Sequence, residues 1–261
     1  MRNRSLGLVL MAALVSPAFA ADITVRQLSE RLHDAERAAP IDLSHLDLRE
    51  LDMSGLDFKG AKLAGSDLFG ADVSRADLSN ADLSGARLDR VVIIAARFDG
   101  ANLSGATLLR PSAFSTLAAM PSEAVSFVRA DLRRARIFGR FNRANFSGAN
   151  LAGATLAPFG RTGFIEHIWR TELLGADLHD ATLAGADLTH VLLAFANLRG
   201  ANLSGAVLRK ADLSHADLTG ADLTGADLSE SDVDGAIITG ARGLKTALGL
   251  EHARNVEKII R

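Results

Sequence analysis

Apolar and polar positions alternate with a period of five residues along most of the chain, most plainly in ADLTGADLTGADLSESD at residues 216–232. Each unit contains a small residue, Asp or Asn, a central Leu or Phe, Ser or Thr, and often Gly. The central residues fall in three blocks, at 43–108, 127–156 and 168–238, which together hold 36 units. A repeat of this length indicates an architecture built by stacking copies of one small element.

An α-helix does not fit a period of five. At about 100° per residue, successive central residues would lie about 140° apart, and no apolar stripe would form. In extended backbone the small residue and the central residue, two positions apart, share one face, while Asp and Ser or Thr point outward. The fifth residue then forms a corner, where Gly is favoured. Because one short side buries little alone, the sides must stack into a solenoid. The predicted core includes Leu78, Leu83, Leu103, Leu213, Leu218, Leu223 and Leu228.

The units ADLSG, ANLSG and ADLTG resemble the A(D/N)LxX motif of the pentapeptide repeat family, and the resemblance covers residues 41–240. It implies an all-β solenoid, the right-handed quadrilateral β-helix, with four units in each coil. On that basis 36 units make about nine coils, stacked into a rod on the order of 40 Å long.

Both ends of the repeat carry sequences typical of caps. Thr24 and Gln27 have the spacing of a helical capping box, which predicts an N-terminal capping helix within residues 21–40. Apolar residues in the last segment predict a C-terminal helical cap over 241–261, namely Leu244, Leu248, Val256 and Ile260. Family members with helical C-terminal caps can dimerise through that end, so the resemblance implies a possible homodimer here.

The first twenty residues have the pattern of an export signal. Arg2 and Arg4 precede an apolar run at 6–15, and Ala-Phe-Ala at 18–20 forms a small-x-small cleavage site. The run is too short to cross a membrane. We therefore expect a signal peptide over 1–20, a periplasmic or secreted mature chain, and no transmembrane segment after cleavage. A buried first helix is the alternative.

Composition and motifs point away from enzymatic chemistry. The chain has no cysteine, and the repeat places most of its seven histidines at corners or outward positions. It contains no metal, phosphate-loop, dinucleotide or nucleophile motif. The sequence therefore predicts a non-enzymatic protein with no cofactor and no metal. An enzyme or carbohydrate binder is a further alternative, but carboxylates do not cluster on one predicted face.

Acidic sides raise a second hypothesis. The resemblance includes cytosolic members whose acidic rods imitate duplex DNA and engage type II topoisomerases such as gyrase. A mimic needs dense carboxylates, whereas asparagines and arginines interrupt the aspartates here, and the repeat itself supplies Asp at each outward position. A topoisomerase modulator retained in the cytosol is thus the alternative function. The net charge of −2 also argues against binding nucleic acid.

The middle of the chain is strongly basic, and two insertions flank it. The segment 128–143 contains one acid, Asp131, and a step of four between Ile137 and Phe141. We call its six arginines the arginine girdle: Arg129, Arg133, Arg134, Arg136, Arg140 and Arg143. The predicted insertions are residues 111–125 and 157–169, with Phe114, Phe164 and Trp169 as candidate contacts.

We expect the girdle and the insertions to form one composite site for an unknown protein or anionic partner, because Arg and Trp often anchor interfaces and insertions in repeat proteins often lie on the binding face. The chain would then act as a rigid interaction or scaffold module. The alternative is that the insertions cover the irregular coil and the arginines are merely solvated.

Overall fold

The computed structural model describes residues 21–35, 40–116, 120–158 and 170–261. The predicted signal peptide and most of the second insertion lie outside these ranges. The regular elements are few and short. They are the helix α1 (Val25–Ala35), the strands β1 (Thr107–Leu109) and β2 (Arg136–Phe138), and the 3-10 helices Pro121–Glu123, Leu250–His252 and Val256–Lys258.

Parallel β-bridges, twenty residues apart in the regular coils, stack the rest of the described chain into a four-sided solenoid. Asp42 pairs with Lys62, and the next three sides begin with Asp47, Asp52 and Asp57. We number these sides 1 to 4. Sides 1, 2 and 4 are paired through ten successive positions, and side 3 is paired in two segments, 52–112 and 140–254. Each coil thus uses four pentapeptides, as the resemblance implied.

Each regular corner is a four-residue turn with a left-handed residue in its third position. On the first coil the Leu46 N–H donates to the Leu43 carbonyl at 3.4 Å, and His45 has φ 62°. Positive φ at this position is the requirement of a type II turn, which explains why Gly is so frequent there. His45 and several other non-glycine corner residues adopt the same conformation.

The core is a column of alanines and leucines inside the four sides. The seven predicted core leucines are all buried, the most exposed of them, Leu228, to 3%. In the middle coils phenylalanine replaces leucine. Phe127 stacks between Phe98 and Phe146, with ring centroids 5.0 and 4.8 Å apart, and Phe141 meets the stack edge-on. The coils beneath the girdle therefore have a distinct aromatic core.

At the N-terminal end, α1 covers the first coil. The backbone N–H of Thr24 donates to Gln27 Oε1 at 2.9 Å and that of Gln27 donates to Thr24 Oγ1 at 3.3 Å, which is the reciprocal geometry of a capping box. Leu28 is fully buried in the core. The Asp47 N–H donates to Asp22 Oδ2 at 2.7 Å, which ties this segment to side 2.

The C-terminal segment differs from the predicted helical cap. Residues 241–261 form two three-residue 3-10 helices and a further coil, whose ladder residues recur every six positions. These residues are Arg242, Leu248, Arg254 and Ile260. With this coil there are ten levels on a side, against the nine or so counted from pentapeptides. The extra residue in each unit widens the corner enough for a 3-10 turn, and it gives the apolar positions a spacing that resembles a helix.

The first insertion is shorter than predicted. Ser112 still bridges to Val92 on side 3, and Ala113 points into the core. At the other boundary Val125 is already buried as an inward residue. The departure from the coil is thus confined to residues 114–124. The sequence did not reveal that the coil continues to residue 113, because Ala113 occupies the central position where the motif has leucine.

Candidate binding surface of the central coils

The six girdle arginines encircle the rod instead of sharing one face. We count coils from the one that contains Asp42. The girdle then lies on coil 5 and at the corner that joins coil 4 to coil 5. Arg136 lies on side 2 and Arg140 on side 3. Arg133 and Arg134 lie at the corner between sides 1 and 2, and the other two lie at corners on either side of side 4, namely Arg129 and Arg143.

Local carboxylates hold two of these arginines. The Arg133 Nε donates to Asp131 at 2.9 Å, and this hydrogen bond is the main reason that the pKa of Asp131 lies below its usual value. On side 3, Arg140 donates to Glu172 at 3.1 Å, and Asn142 donates to the same carboxylate oxygen at 2.8 Å. The positive charge that the girdle offers to a ligand therefore differs from one side of the rod to another.

Arg133 and Arg134 stand between glycine corners. Gly105 and Gly153 occupy the equivalent corner on the coils below and above, next to Ser104 and Ala152, and these residues line a depression around the two arginines. The two side chains thus rise above an otherwise smooth edge. Arg134 can therefore present its guanidinium to an oxyanion or a carboxylate, whereas the guanidinium of Arg133 is already bonded to Asp131.

Both insertions border side 3. The first leaves coil 4 after Ala113 and returns at Val125, between sides 3 and 4. The second leaves coil 6 after Pro158 and returns at Arg170, between sides 2 and 3. Two coil steps separate them, which is about 10 Å along the axis. Side 3 of coil 5 lies between the two departure points.

Of the three candidate aromatic contacts, only Phe114 belongs to the described residues. Phe114 packs partly buried against the core, so its ring serves the coil at least as much as any partner. Phe164 and Trp169 lie outside the described residues. Of the nine candidate contact residues, Arg140 on side 3 and Arg143 at its corner lie between the insertions. Arg129, Arg133 and Arg134 lie at corners away from side 3, so the structure does not bring the girdle and insertions together as one face.

The outward aspartates are committed to their own corners. Asp42 Oδ1 accepts the N–H of Ser44 at 3.0 Å, and the same bond recurs in most units, including those with Asn, such as Asn102 with Ser104 at 3.1 Å. This bond holds the turn in place of a backbone acceptor. The repeat therefore selects Asp or Asn for local structure, whatever the charge of the rod.

Two further observations bear on chemistry. Among the described residues no cluster of three or more His, Asp or Glu side chains could hold a metal ion. Within the same part of the chain, no helix is both long and apolar enough to cross a membrane.

The model of the family described as "Pentapeptide repeats" matches the chain in eight copies, over residues 41–75, 71–108, 171–209, 186–225 and 206–242. These ranges cover more than half of the chain. The chain belongs to the pentapeptide repeat family. The pentapeptide repeat matches leave out residues 109–170, which contain the girdle and both insertions.

Solved structures of pentapeptide repeat proteins are also similar to the chain. HetL from the cyanobacterium Nostoc sp. strain PCC 7120, a protein involved in heterocyst differentiation regulation, is 27% identical, with 92% of this chain and 100% of HetL covered and a TM-score of 0.36. QnrB1, a plasmid-mediated fluoroquinolone resistance protein, is 18% identical over 82% of this chain and 90% of its own, with a TM-score of 0.44.

A third structure, a protein of the Arabidopsis thaliana thylakoid lumen, is 28% identical over 51% of this chain and 65% of its own, with a TM-score of 0.20. No curated protein matches the chain. The family is thus shown, and function must be argued from the surface of this rod.

Proposed function

We propose that this pentapeptide repeat protein is a non-enzymatic, exported binding module whose partner is held by the central coils. One observation carries the proposal: regularly bridged coils continue on both sides of a central region that combines two chain departures with six arginines. A solenoid with regular ladders is a rigid support, and a surface irregularity on a rigid support is a common place for recognition.

The chemistry of the girdle favours a partner with carboxylate or other oxyanion groups. Arginine presents several donors in a planar fork and binds such groups bidentately. Arg134, Arg129 and Arg143 are exposed. A protein surface with acidic residues, or another anionic molecule of the envelope, fits this description.

The test is quantitative capture from an envelope extract with the variant Arg133→Ser/Arg134→Ser/Arg136→Ser. We expect this variant to fold normally and to lose the partner that the wild type enriches. The matched control is Arg199→Ser/Arg209→Ser/Arg242→Ser, which removes the same number of exposed arginines from two corners and one side of the later coils. Equal enrichment by the folded girdle variant and the wild type would contradict the proposal.

Two finer features of the fold belong to the same proposal. The solenoid is right-handed, as the family resemblance implies, and a second copy binds at the C-terminal end. The dimer is supported by Leu244, Leu250 and Val256, which pack against the core but remain only partly buried on the last coil. Sedimentation analysis should show a dimer that Leu250→Asp dissociates, and a monomer at every concentration would contradict this part.

A further inference from the structure

Two girdle arginines stand at the two ends of one short side. Arg129 is the left-handed corner residue between sides 4 and 1, Arg134 is the one between sides 1 and 2, and side 1 of coil 5 lies between them. Their Cα atoms are at most about 18 Å apart, since five residues of extended chain span no more. Both are exposed, and in the described structure neither has a carboxylate within ion-pair distance. By contrast, Arg199 on a later coil donates to Asp217 at 3.0 Å.

Glycine corners on the next coil give both arginine side chains the same direction. A Cβ atom added to Gly148 would lie 3.4 Å from Arg129 Cγ, and one added to Gly153 would lie 3.8 Å from Arg134 Cγ. Gly148 and Gly153 are the corners at the two ends of side 1 on coil 6. Both arginines thus lean toward the C-terminal coils, and side 1 of coil 6 lies between their side chains.

The surface toward which they lean carries no charge. On coils 6 to 8 the outward residues of side 1 and of its corner with side 2 are all neutral, namely Asn150, Ala152, Thr182, Ala184, Asn202 and Ser204. Over the same coils each of the other sides has an acidic residue: Asp187 on side 2, Glu172 on side 3 and Asp177 on side 4. The carboxylate of Asp180, the next corner after Gly148, reaches over the following coil and away from the arginines. Side 1 is therefore the side of these coils where an anion meets least repulsion.

Between the two arginines, the remaining charges of coil 5 neutralise each other. Arg133 Nε donates to both carboxylate oxygens of Asp131 at 2.9 Å. One coil later, Asn150 Oδ1 accepts the Ala152 N–H at 3.1 Å, whereas the Asn150 Nδ2 group donates to no other described residue. The side thus offers a ligand two cations at its ends and an amide donor between them.

We propose that side 1 of coils 5 and 6 binds an extended acidic segment of the partner protein, which crosses the side from Arg129 to Arg134. In an extended chain, residues four positions apart share one face and lie about 13 Å apart, which is within the span of the two corners. Two carboxylates at that spacing can each accept from one guanidinium fork. The small neutral residues let the segment approach without burying an unpaired charge. This assignment rests on the proposed role as a binding module, and it names the girdle arginines and the kind of segment that meet.

The experiment measures binding of two fluorescent synthetic peptides to the full chain by anisotropy. One peptide has two glutamates four positions apart among serines and threonines, and the other has the same composition with the glutamates adjacent. The first should bind severalfold more tightly, because only its carboxylates reach both corners. Arg129→Gln/Arg134→Gln should weaken its binding about tenfold or more, because two charge-assisted contacts are lost. The control Arg75→Gln/Arg90→Gln removes two other exposed, left-handed corner arginines and should change the affinity by less than about twofold.

A second pair of variants tests where the segment lies. Ala152→Asp adds a carboxylate beside Arg134 on coil 6 and should weaken binding of the first peptide severalfold, because the new carboxylate competes for the arginines. Ala64→Asp makes the same change at the equivalent position of coil 2 and should leave the affinity unchanged.

Four results would overturn the assignment: equal weakening by the two double variants, equal affinity for the two peptides, tighter binding of a short oligonucleotide of equal net charge, or no binding of either peptide. Its failure is distinguishable from failure of the proposed function. Partner capture that is lost in Arg133→Ser/Arg134→Ser/Arg136→Ser but retained in Arg129→Gln/Arg134→Gln would leave the girdle as the binding region and remove side 1 as the place where the segment binds.

Discussion

Each outward aspartate or asparagine supports the corner that follows it. Asp72 Oδ1 accepts the Ser74 N–H at 2.8 Å. We expect Asp72→Ala to lower the free energy of unfolding by about 1 kcal/mol, because the turn N–H loses its acceptor. Asp72→Asn keeps the acceptor and should cost much less. Urea denaturation of the two variants measures the difference, and equal losses would show that the charge of Asp72 matters more than its hydrogen bond.

The same hydrogen bonds make stability depend on pH. Donors at Ser44, Ser54 and Thr224 lower the pKa values of Asp42, Asp52 and Asp222 in the folded chain. Folded carboxylates with lowered pKa values bind fewer protons than unfolded ones. Their contribution is therefore complete above the unfolded value near 3.8 and is lost as the pH falls through the folded values.

We thus expect the midpoint of thermal denaturation to be constant near neutral pH. It should decrease once the pH is lowered below about 4. Asp222→Asn, which cannot titrate, should reduce the steepness of that fall. A midpoint that rises between pH 5 and pH 3 would contradict the account.

Corners that lack glycine carry a conformational cost. Ala95 has φ 54°, a region that disfavours residues with a Cβ atom. We expect Ala95→Gly to raise the free energy of unfolding by about 0.5–1 kcal/mol. The neighbouring Ala96→Gly is the control. Ala96 is fully buried in the core, so the loss of its methyl group should destabilise the protein. In thermal denaturation, the midpoint temperature of Ala95→Gly should lie above that of the wild type, and that of Ala96→Gly should lie below it.

At the scale of the element, the step of four between Ile137 and Phe141 is a corner built with one residue fewer. β2 pairs with β1 in register, and Gly139 then turns the chain with φ 154°. A Cβ atom added to Gly139 would lie 2.8 Å from Pro111 Cδ. The irregular repeat at the girdle therefore depends on a glycine that packs against Pro111, on the coil just before the first insertion.

Gly139→Ala should consequently be more harmful than the same change at an ordinary corner. The control is Gly205→Ala, where φ is +64° and no atom lies within 4 Å of the added Cβ. We expect the control to lower the free energy of unfolding by about 1 kcal/mol. Gly139→Ala should lower it by about 1–3 kcal/mol more than the control does. Equal losses in guanidinium denaturation would show that the close contact with Pro111 is relieved at no cost.

The sequence predicted well those elements in which each position of the five-residue unit has a single structural role. A period of five fixes which residues are inward, and a corner at every fifth position explains Gly. The C-terminal coil was missed because its six-residue spacing places Leu244 and Leu248 like neighbours on a helix. The first insertion was drawn too wide because Ala113 fills a leucine position and still points inward.

For the whole molecule, the stacking period of twenty residues decides which side chains meet. Arg90 and Arg110 are twenty residues apart and lie on successive coils of one corner. The girdle arginines are neighbours in sequence, and the solenoid distributes them around its circumference. Sequence clustering alone therefore indicated a basic region, but only the coil geometry shows on which side or corner each arginine lies.

We propose that the chain is an exported rod that binds its partner outside the cytosol. The most direct test is the intact mass of the protein recovered from separate cytosolic and periplasmic or external fractions of its native host. We predict a mature chain that begins at Ala21 and is found outside the cytosol. A full-length chain confined to the cytosol would contradict the central claim, and inhibition of gyrase supercoiling would then be the assay to perform.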